Sequence, residues 1–417
     1  MGRKRGREGV SSSRTSSAHH HNHHSEEDED EDDEDSSGYD DTVGHMQARR
    51  GDIICGRYEV RAELGTGTFG KVFRCKDAKH RDTVAIKVIR RIHKYIDSAR
   101  IEARILSQVY AQQKKEKTSY IVKLFSHFTF NGYYCLVFER LGISLYDFLK
   151  KHHHDGFPMH IVREIAQQML HGVAFLHNMH LIHTDLKLEN VLLIDDEEEV
   201  ITRKRDGKLI TVPRRPRVKL IDFGGATYDD EKKSRCVNTR QYRGPEVTLE
   251  TGWSFPSDLW SVGCMVAEIH TGELLFPTHN NLEHLCLMER ILSPQRIGLA
   301  FKASSSLCRK YMHSSDGALR IEDLSSDSLR CVETTLTLSE MFEEEGAEEE
   351  ERKTSHKFVS LLRGLLALDP TKRLTAKAAL AHPFFASLST CSSQSPCPPQ
   401  QSMSKHLLPE IVGIQSS

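Results

Sequence analysis

Between residues 58 and 138 the apolar positions come in short runs. Tyr58–Leu64, Val72–Cys75 and Val84–Ile89 are rich in aromatic and branched residues and are separated by a Gly-rich and a polar turn, which predicts an antiparallel sheet. A helix is expected from Ser98 to about Val109, followed by strands over Ile121–Phe130 and Tyr134–Phe138. From His160 to His180 the period changes: Ile161, Ile165, Met169, Val173 and Leu176 recur at helical spacing. Further helices are expected over Ser257–Thr271 and Lys357–Ala367, the latter stopped by Asp369 and Pro370. The pattern is α+β: a small, mainly antiparallel lobe with one key helix, then a larger, mainly helical lobe.

Composition sets the flanks. Residues 1–55 hold a Ser-rich stretch, a His run from His19 to His24 broken by Asn22, and the acidic block Glu26–Asp35. That block repels itself and has no apolar residue to bury, so 1–55 is expected to be a disordered extension, either a solvated terminus or an interaction tail. The basic run Arg3–Arg7, broken by Gly6, is a weak nuclear-import signal. Residues 56–386 form the expected domain, divided into 56–141 (small lobe and hinge) and 142–386 (large lobe with insertions), and 387–417, rich in Ser, Pro and Gln, is expected to be a flexible tail. Glu343–Arg352 is expected as an exposed insertion or helix edge.

The 57 Lys and Arg against 59 Asp and Glu give a net charge of -2, unlike a simple basic nucleic-acid binder. No run is apolar and long enough for a secretory or membrane segment, and the ten cysteines show no metal-like cluster, so a reducing intracellular compartment is the expectation.

Two constellations carry chemistry. The first is Gly65-Thr-Gly67-Thr-Phe-Gly70-Lys-Val72, followed by Lys87 in an Ala-Ile-Lys run. Glycines let backbone amides approach phosphates, and Lys87 compensates their charge. Because this loop joins two strands and opens no helix, it reads as an ATP loop rather than a dinucleotide fingerprint. Leu64, Val72 and Ala85 are the candidate apolar roof over adenine, and Glu102 on the following helix is the candidate partner that holds Lys87 in register.

The second is His183-Thr-Asp185-Leu-Lys187-Leu-Glu-Asn190, followed by Asp222-Phe-Gly224. Phosphoryl transfer needs an oriented hydroxyl, neutralised oxygens and a metal near the phosphates. Asp185 is the candidate base or hydroxyl-orienting group, Lys187 the cation that stabilises transferred charge, and Asn190 and Asp222 the candidate Mg²⁺ ligands.

These motifs resemble those of eukaryotic protein kinases over residues 58–386, and imply the two-lobed kinase fold with ATP and Mg²⁺ as cofactors. Glu283-His-Leu-Cys-Leu-Met-Glu-Arg290, the Pro-Thr-His run at 277–279 and His183-Thr-Asp185 resemble the CDC-like, or LAMMER, kinases, with Cys286 and Leu287 where that family commonly has Ala and Met. The resemblance implies Phe138 as gatekeeper, and Glu139 to Leu141 as a hinge in which backbone groups of Glu139 and Leu141 bind adenine. Asp147 is implied near ribose or a basic peptide, Asp195–Val218 is similar to the family's hairpin insertion, and Glu246 resembles the residue that pairs with Arg373. Serine/threonine kinase activity toward basic Arg/Ser-rich nuclear proteins such as splicing factors is implied, with dual-specificity autophosphorylation, a catalytic monomer and a location in the nucleus with the cytoplasm as a second compartment. The competing readings are a nucleotide-binding scaffold without turnover and a kinase of a neighbouring Pro-directed family. Direct nucleic-acid binding rests only on basic patches such as Arg203-Lys-Arg205, and is disfavoured.

Thr184 stands where many kinases carry an Arg that reads a loop phosphate, and Thr lacks that positive fork. Activity is therefore expected without phosphorylation of Ser234 or Thr239. Gly244, in Gly244-Pro-Glu246, replaces the more usual Ala and is expected to loosen the backbone there.

Overall fold

The computed structural model describes residues 44–388, apart from 205, 302–304 and 343–347. The acidic block, the His run, the basic start and the tail from 389 lie outside the described residues.

The small lobe is one antiparallel sheet of β1 (Ile53–Ile54), β2 (Tyr58–Gly67), β3 (Gly70–Asp77), β4 (Thr83–Ile89), β5 (Leu124–Phe130) and β6 (Tyr133–Glu139), in the order β1-β2-β3-β4-β6-β5. Alternate residues of β2, β3, β4 and β6, among them Tyr58, Val60, Phe73, Cys75, Val84 and Ile86, point to one buried face. The β2–β3 hairpin closes on Gly67 opposite Gly70. A Cβ on Gly70 would lie 2.2 Å from the Val88 carbonyl oxygen, so only glycine lets the loop approach β4 this closely.

Helix α1 (His93–Glu116) packs Ala99, Ala103, Ile105, Leu106 and Val109 inward. It is longer at both ends than Ser98–Val109: its last two turns are polar and leave no apolar period to read, and at its start Tyr95 and Ile96 pack on the core between the polar His93, Lys94 and Asp97. Strand β5 begins at Leu124 rather than Ile121: Ile121 makes a single parallel bridge to Leu220, and the Val122 amide donates to the Leu220 carbonyl.

The large lobe begins with α2 (Leu145–Lys151) and α3 (Met159–Asn178), the latter burying the expected stripe Ile161, Ile165, Met169, Val173 and Leu176. Short pairs follow: β7 (Leu181–Ile182) with β12 (Thr227–Tyr228), β8 (Val191–Leu193) with β11 (Val218–Leu220), and β9 (Glu198–Thr202) with β10 (Leu209–Pro213). The last pair is the hairpin of the Asp195–Val218 segment. After α4 (Pro245–Thr248) comes α5 (Pro256–Thr271), with Pro at its start and Gly272 at φ 86° as its left-handed stop; it is almost wholly buried around Trp260. Helix α6 (Asn281–Ile291), capped by Asn280, carries the Glu283–Arg290 motif, and the helix Glu349–Leu365 packs beside α5.

Two further expectations change. Residues 44–55 are not a loose extension: Ile54 is fully buried, Met46 and Ala48 pack on the sheet, and Tyr133 Oη donates to the His45 carbonyl. Their few apolar residues were masked by the charged stretch before them. The helix expected from Lys357 starts at Glu349, since its first two turns are polar and only Phe358 onward faces the core; the opening acids suit the positive end of the helix dipole. Among the described residues no helix is long and apolar enough to cross a membrane.

Candidate active site

The two constellations meet in the cleft between the lobes. Strand β4 presents Lys87 toward α1, where its Nζ donates to Glu102 Oε2 at 3.0 Å and Oε1 at 3.2 Å, and to Asp222 Oδ1 at 3.3 Å. Burial works against charge on Lys87, but the two carboxylates outweigh it and hold the ammonium above the usual lysine range. Burial likewise opposes charge on Asp222, and the Lys87 cation prevails, keeping that carboxyl below its ordinary value. Phe223 is buried, with its ring 4.9 Å from that of His183.

The segment 183–190 is fixed by the buried Asp258 of α5. Its Oδ2 accepts the His183 amide and its Oδ1 the Thr184 amide. This anchoring keeps β-branched Thr184 at φ 70°, a conformation that costs roughly 1–3 kcal/mol for such a residue. Thr184 Oγ1 donates to the Gly225 carbonyl at 2.8 Å, and the Thr184 carbonyl accepts the Asn238 amide at 2.8 Å. Instead of reading a phosphate, Thr184 ties both ends of the activation segment to the catalytic loop by uncharged bonds. His183 Nδ1 accepts the Asp185 amide while Nε2 donates to the Ile221 carbonyl, which fixes the ring.

Asp185 sits at a hub. Its Oδ2 faces Lys187 Nζ at 3.0 Å and accepts from Asn190 Nδ2 at 3.2 Å, while Asn190 Nδ2 also donates to the Asp185 carbonyl. Its Oδ1 accepts the Thr239 hydroxyl at 2.8 Å, and Lys187 Nζ donates to Thr239 Oγ1 at 3.0 Å. Thr239 is the member of this site that sequence reasoning missed. It stood only as a modifiable loop residue, and its place beside the catalytic loop follows from the path of the activation segment.

A cavity of about 440 Å³ opens beside these groups. Leu64, Gly65, Val72, Ala85, Phe138, Glu139, Leu141, Lys87, Glu102 and Asp222 line it, as do Asp147 and the unanticipated Val122, Ile143, Leu192 and Ile221. Gly67 and Gly70 are not in the wall: they close the hairpin and pack it on β4. The Glu139 amide already donates to the Lys123 carbonyl, so of its backbone groups only the carbonyl is left to meet a base. Asp147 is engaged with Ser144, whose hydroxyl caps α2.

Glu246 and Arg373 form a fully buried pair at 2.6 and 2.9 Å, with the guanidinium over the Trp260 ring. A Cβ on Gly244 would lie 2.7 Å from Glu246 Oε2, so glycine here makes room for that carboxylate rather than loosening the chain. The insertion's Arg203, Arg215 and Arg217 pair with Asp206, Glu197 and Asp195. Asp229 pairs with His180 and Glu231 accepts the Tyr228 amide.

The protein kinase domain model matches residues 58–385. The chain is 39% identical over 357 residues to serine/threonine-protein kinase AFC2 of Arabidopsis thaliana, covering 83% of this chain and 81% of the relative. It is 41% identical to AFC3 of the same plant, covering 84% and 87%, and 39% identical to dual specificity protein kinase CLK2 of Mus musculus, covering 84% and 68%. A crystal structure of a kinase domain superposes with a TM-score of 0.73 at 34% identity, covering 82% of this chain and 99% of that one.

Proposed function

The chain belongs to the protein kinases, and within them to the CDC-like or LAMMER family, and from that premise we propose that this serine/threonine kinase phosphorylates basic, Arg/Ser-rich nuclear proteins, splicing factors among them. Dual-specificity autophosphorylation is part of the same reading; CLK2 of Mus musculus is named a dual specificity protein kinase.

The observation that carries the catalytic assignment is the simultaneous pairing of Lys87 with Glu102 and of Asp185 with Lys187 and Asn190 around one cleft. ATP is the phosphoryl donor. Leu64, Val72, Ala85 and Leu141 enclose adenine, the Glu139 carbonyl and Leu141 backbone recognise its edge, and Phe138 limits the space behind. Lys87, held by Glu102, meets the phosphates with its charge already oriented. Asp185 accepts the proton of the incoming hydroxyl, and Lys187 stabilises the transferred group. Asn190 and Asp222 offer an amide oxygen and a carboxylate, a hard-oxygen pair that fits Mg²⁺. An ion held there would supply positive charge to neutralise the phosphate oxygens.

The test is Mg²⁺-ATP-dependent phosphate incorporation into Arg/Ser peptides beside Pro-directed peptides. Asp185→Asn is expected to leave folding and most ATP affinity intact while lowering turnover roughly 10²–10⁴-fold. Normal turnover in that variant rejects the assignment. Equal rates on both peptide classes reject the substrate class.

A further inference from the structure

Lys219 is a lysine with almost no exposure, 3%, in a part of the chain that the transfer chemistry does not use. It lies on β11, three positions before Asp222, and its Nζ donates to Glu139 Oε1 at 2.5 Å. That same oxygen accepts the Lys123 amide at 2.8 Å, while the Glu139 amide donates to the Lys123 carbonyl at 3.0 Å. Glu139 is the last residue of β6 and the first of the hinge. One carboxylate oxygen therefore joins the hinge, the link between α1 and β5, and the strand that runs into Asp222.

The surrounding backbone makes this junction stiff. The Leu220 amide donates to the Tyr120 carbonyl and the Val122 amide to the Leu220 carbonyl, so the link and β11 are bonded on both sides of Ile121. On its other edge Lys219 pairs with Leu192, which lines the cavity, and the Ile221 amide donates to the Asn190 carbonyl. The backbone ties β11 to the hinge only at second hand, through Lys123 at one end and through Leu193 of β8, which bonds Gly142 and Ile143, at the other. The Lys219 side chain makes the tie direct, from β11 to Glu139, and a cation this buried is tolerated only while its partner is present. Burial pulls the Lys219 ammonium below the ordinary lysine range, against the pull of Glu139.

We propose that Lys219 is a positioning residue for the nucleotide: its bond to Glu139 sets the distance between the hinge edge that reads adenine and the strand that carries Asp222. An ATP molecule touches both ends at once. Without that direct tie the hinge edge is held to β11 only by way of Lys123 and Leu193, and a shift in its register leaves adenine on its edge while the phosphates no longer arrive at Lys87 and Asp222 together. The inference rests on the kinase reading of the cleft. It adds a residue whose effect falls on the register between the two ends of ATP, not on the chemical step.

The test compares adenosine, which uses the hinge alone, with Mg²⁺-ATP. Lys219→Met is expected to raise the Kd and KM for Mg²⁺-ATP about 10-fold or more while adenosine affinity and the KM for an Arg/Ser peptide change less than about 3-fold. Glu139→Gln, which keeps the shape of the side chain, is expected to show the same split and carries the test if Lys219→Met does not fold. The double variant is expected to be no worse than the poorer single, because the two side chains act as one unit. Parallel loss of adenosine, ATP and peptide binding with a lowered melting temperature would make the pair merely structural and overturn the proposal. Unchanged ATP binding in both single variants overturns it as well. Failure of the unmodified protein to bind adenosine or ATP removes the kinase reading itself, and this inference with it.

Discussion

The Thr239 hydroxyl, held between Asp185 and Lys187, shows how little one position announces when its partners lie 54 and 52 residues upstream. Lys87, Asp185, Asn190 and Asp222 were legible because their chemistry comes in short, fixed spacings. Thr239 lies in a polar loop with no such frame, and the buried Lys219 was hidden inside an ordinary strand. Thr239→Ala is expected to lower kcat roughly 10-fold by releasing the hydroxyl bond that steadies Asp185 and Lys187, with Thr239→Ser restoring most of it. Initial rates on one peptide at saturating Mg²⁺-ATP check this; an alanine variant as fast as the original removes Thr239 from the site. A test of phosphate-independent activity should accordingly alter Ser234 alone, since replacing Thr239 disturbs the centre whether or not it is ever modified.

A second residue gives a pH signature. Burial pushes the Glu268 carboxyl up to about 7 from an ordinary 4.5, although the Tyr242 hydroxyl, donating at 2.7 Å, pulls it back. The folded protein thus holds that proton more tightly than the unfolded chain. The resulting cost is absent below about pH 4.5, grows as pH rises, and is complete above about 7. Glu268→Gln keeps an acceptor for Tyr242 and removes the charge. Its stability relative to the original protein is expected to be higher at pH 8 than at pH 5.5 by about 2 kcal/mol, read from urea midpoints. An equal difference at both pH values sinks the assignment.

Among elements, the activation segment is held by contacts that no helix or strand pattern displays. Thr184 ties down Gly225 and Asn238, and Tyr228 on β12 donates its hydroxyl to Gln108 of α1 at 2.5 Å, six positions along the helix from Glu102. The elements themselves were legible where an apolar period ran unbroken, as in α3 and α5. Their ends were not, because the polar last turns of α1 and the polar first turns of Glu349–Leu365 carry no such period. Phosphatase-treated protein, shown by intact mass to carry no phosphate, is expected to retain substantial activity. In that preparation Tyr228→Phe should lower the rate about 2- to 10-fold, the scale of one hydrogen bond. Hydrogen exchange in α1 should rise with it; unchanged exchange and rate would detach Tyr228 from control of the helix.

At the scale of the whole molecule, the two-lobed plan was legible because a change of period from strand to helix divides the chain near the hinge. The tie between Glu246 and Arg373, 127 positions apart, was legible only through the family resemblance, since no spacing or period in the chain links the two. Arg373→Met leaves the Glu246 carboxylate buried without a partner and is expected to cost about 3–5 kcal/mol, measured by urea unfolding. Sequence composition also misplaced the edge of the fold. Ile54, Met46 and Ala48 fasten residues 44–54 along the outer surface of the sheet, outside the span that carries kinase motifs. The smallest piece with a complete set of motifs is therefore not the smallest piece that melts as a unit. Cut at residue 56, the chain keeps every group that touches ATP yet loses the plug that Ile54 provides, and its small lobe is expected to open to proteases several degrees below the longer form.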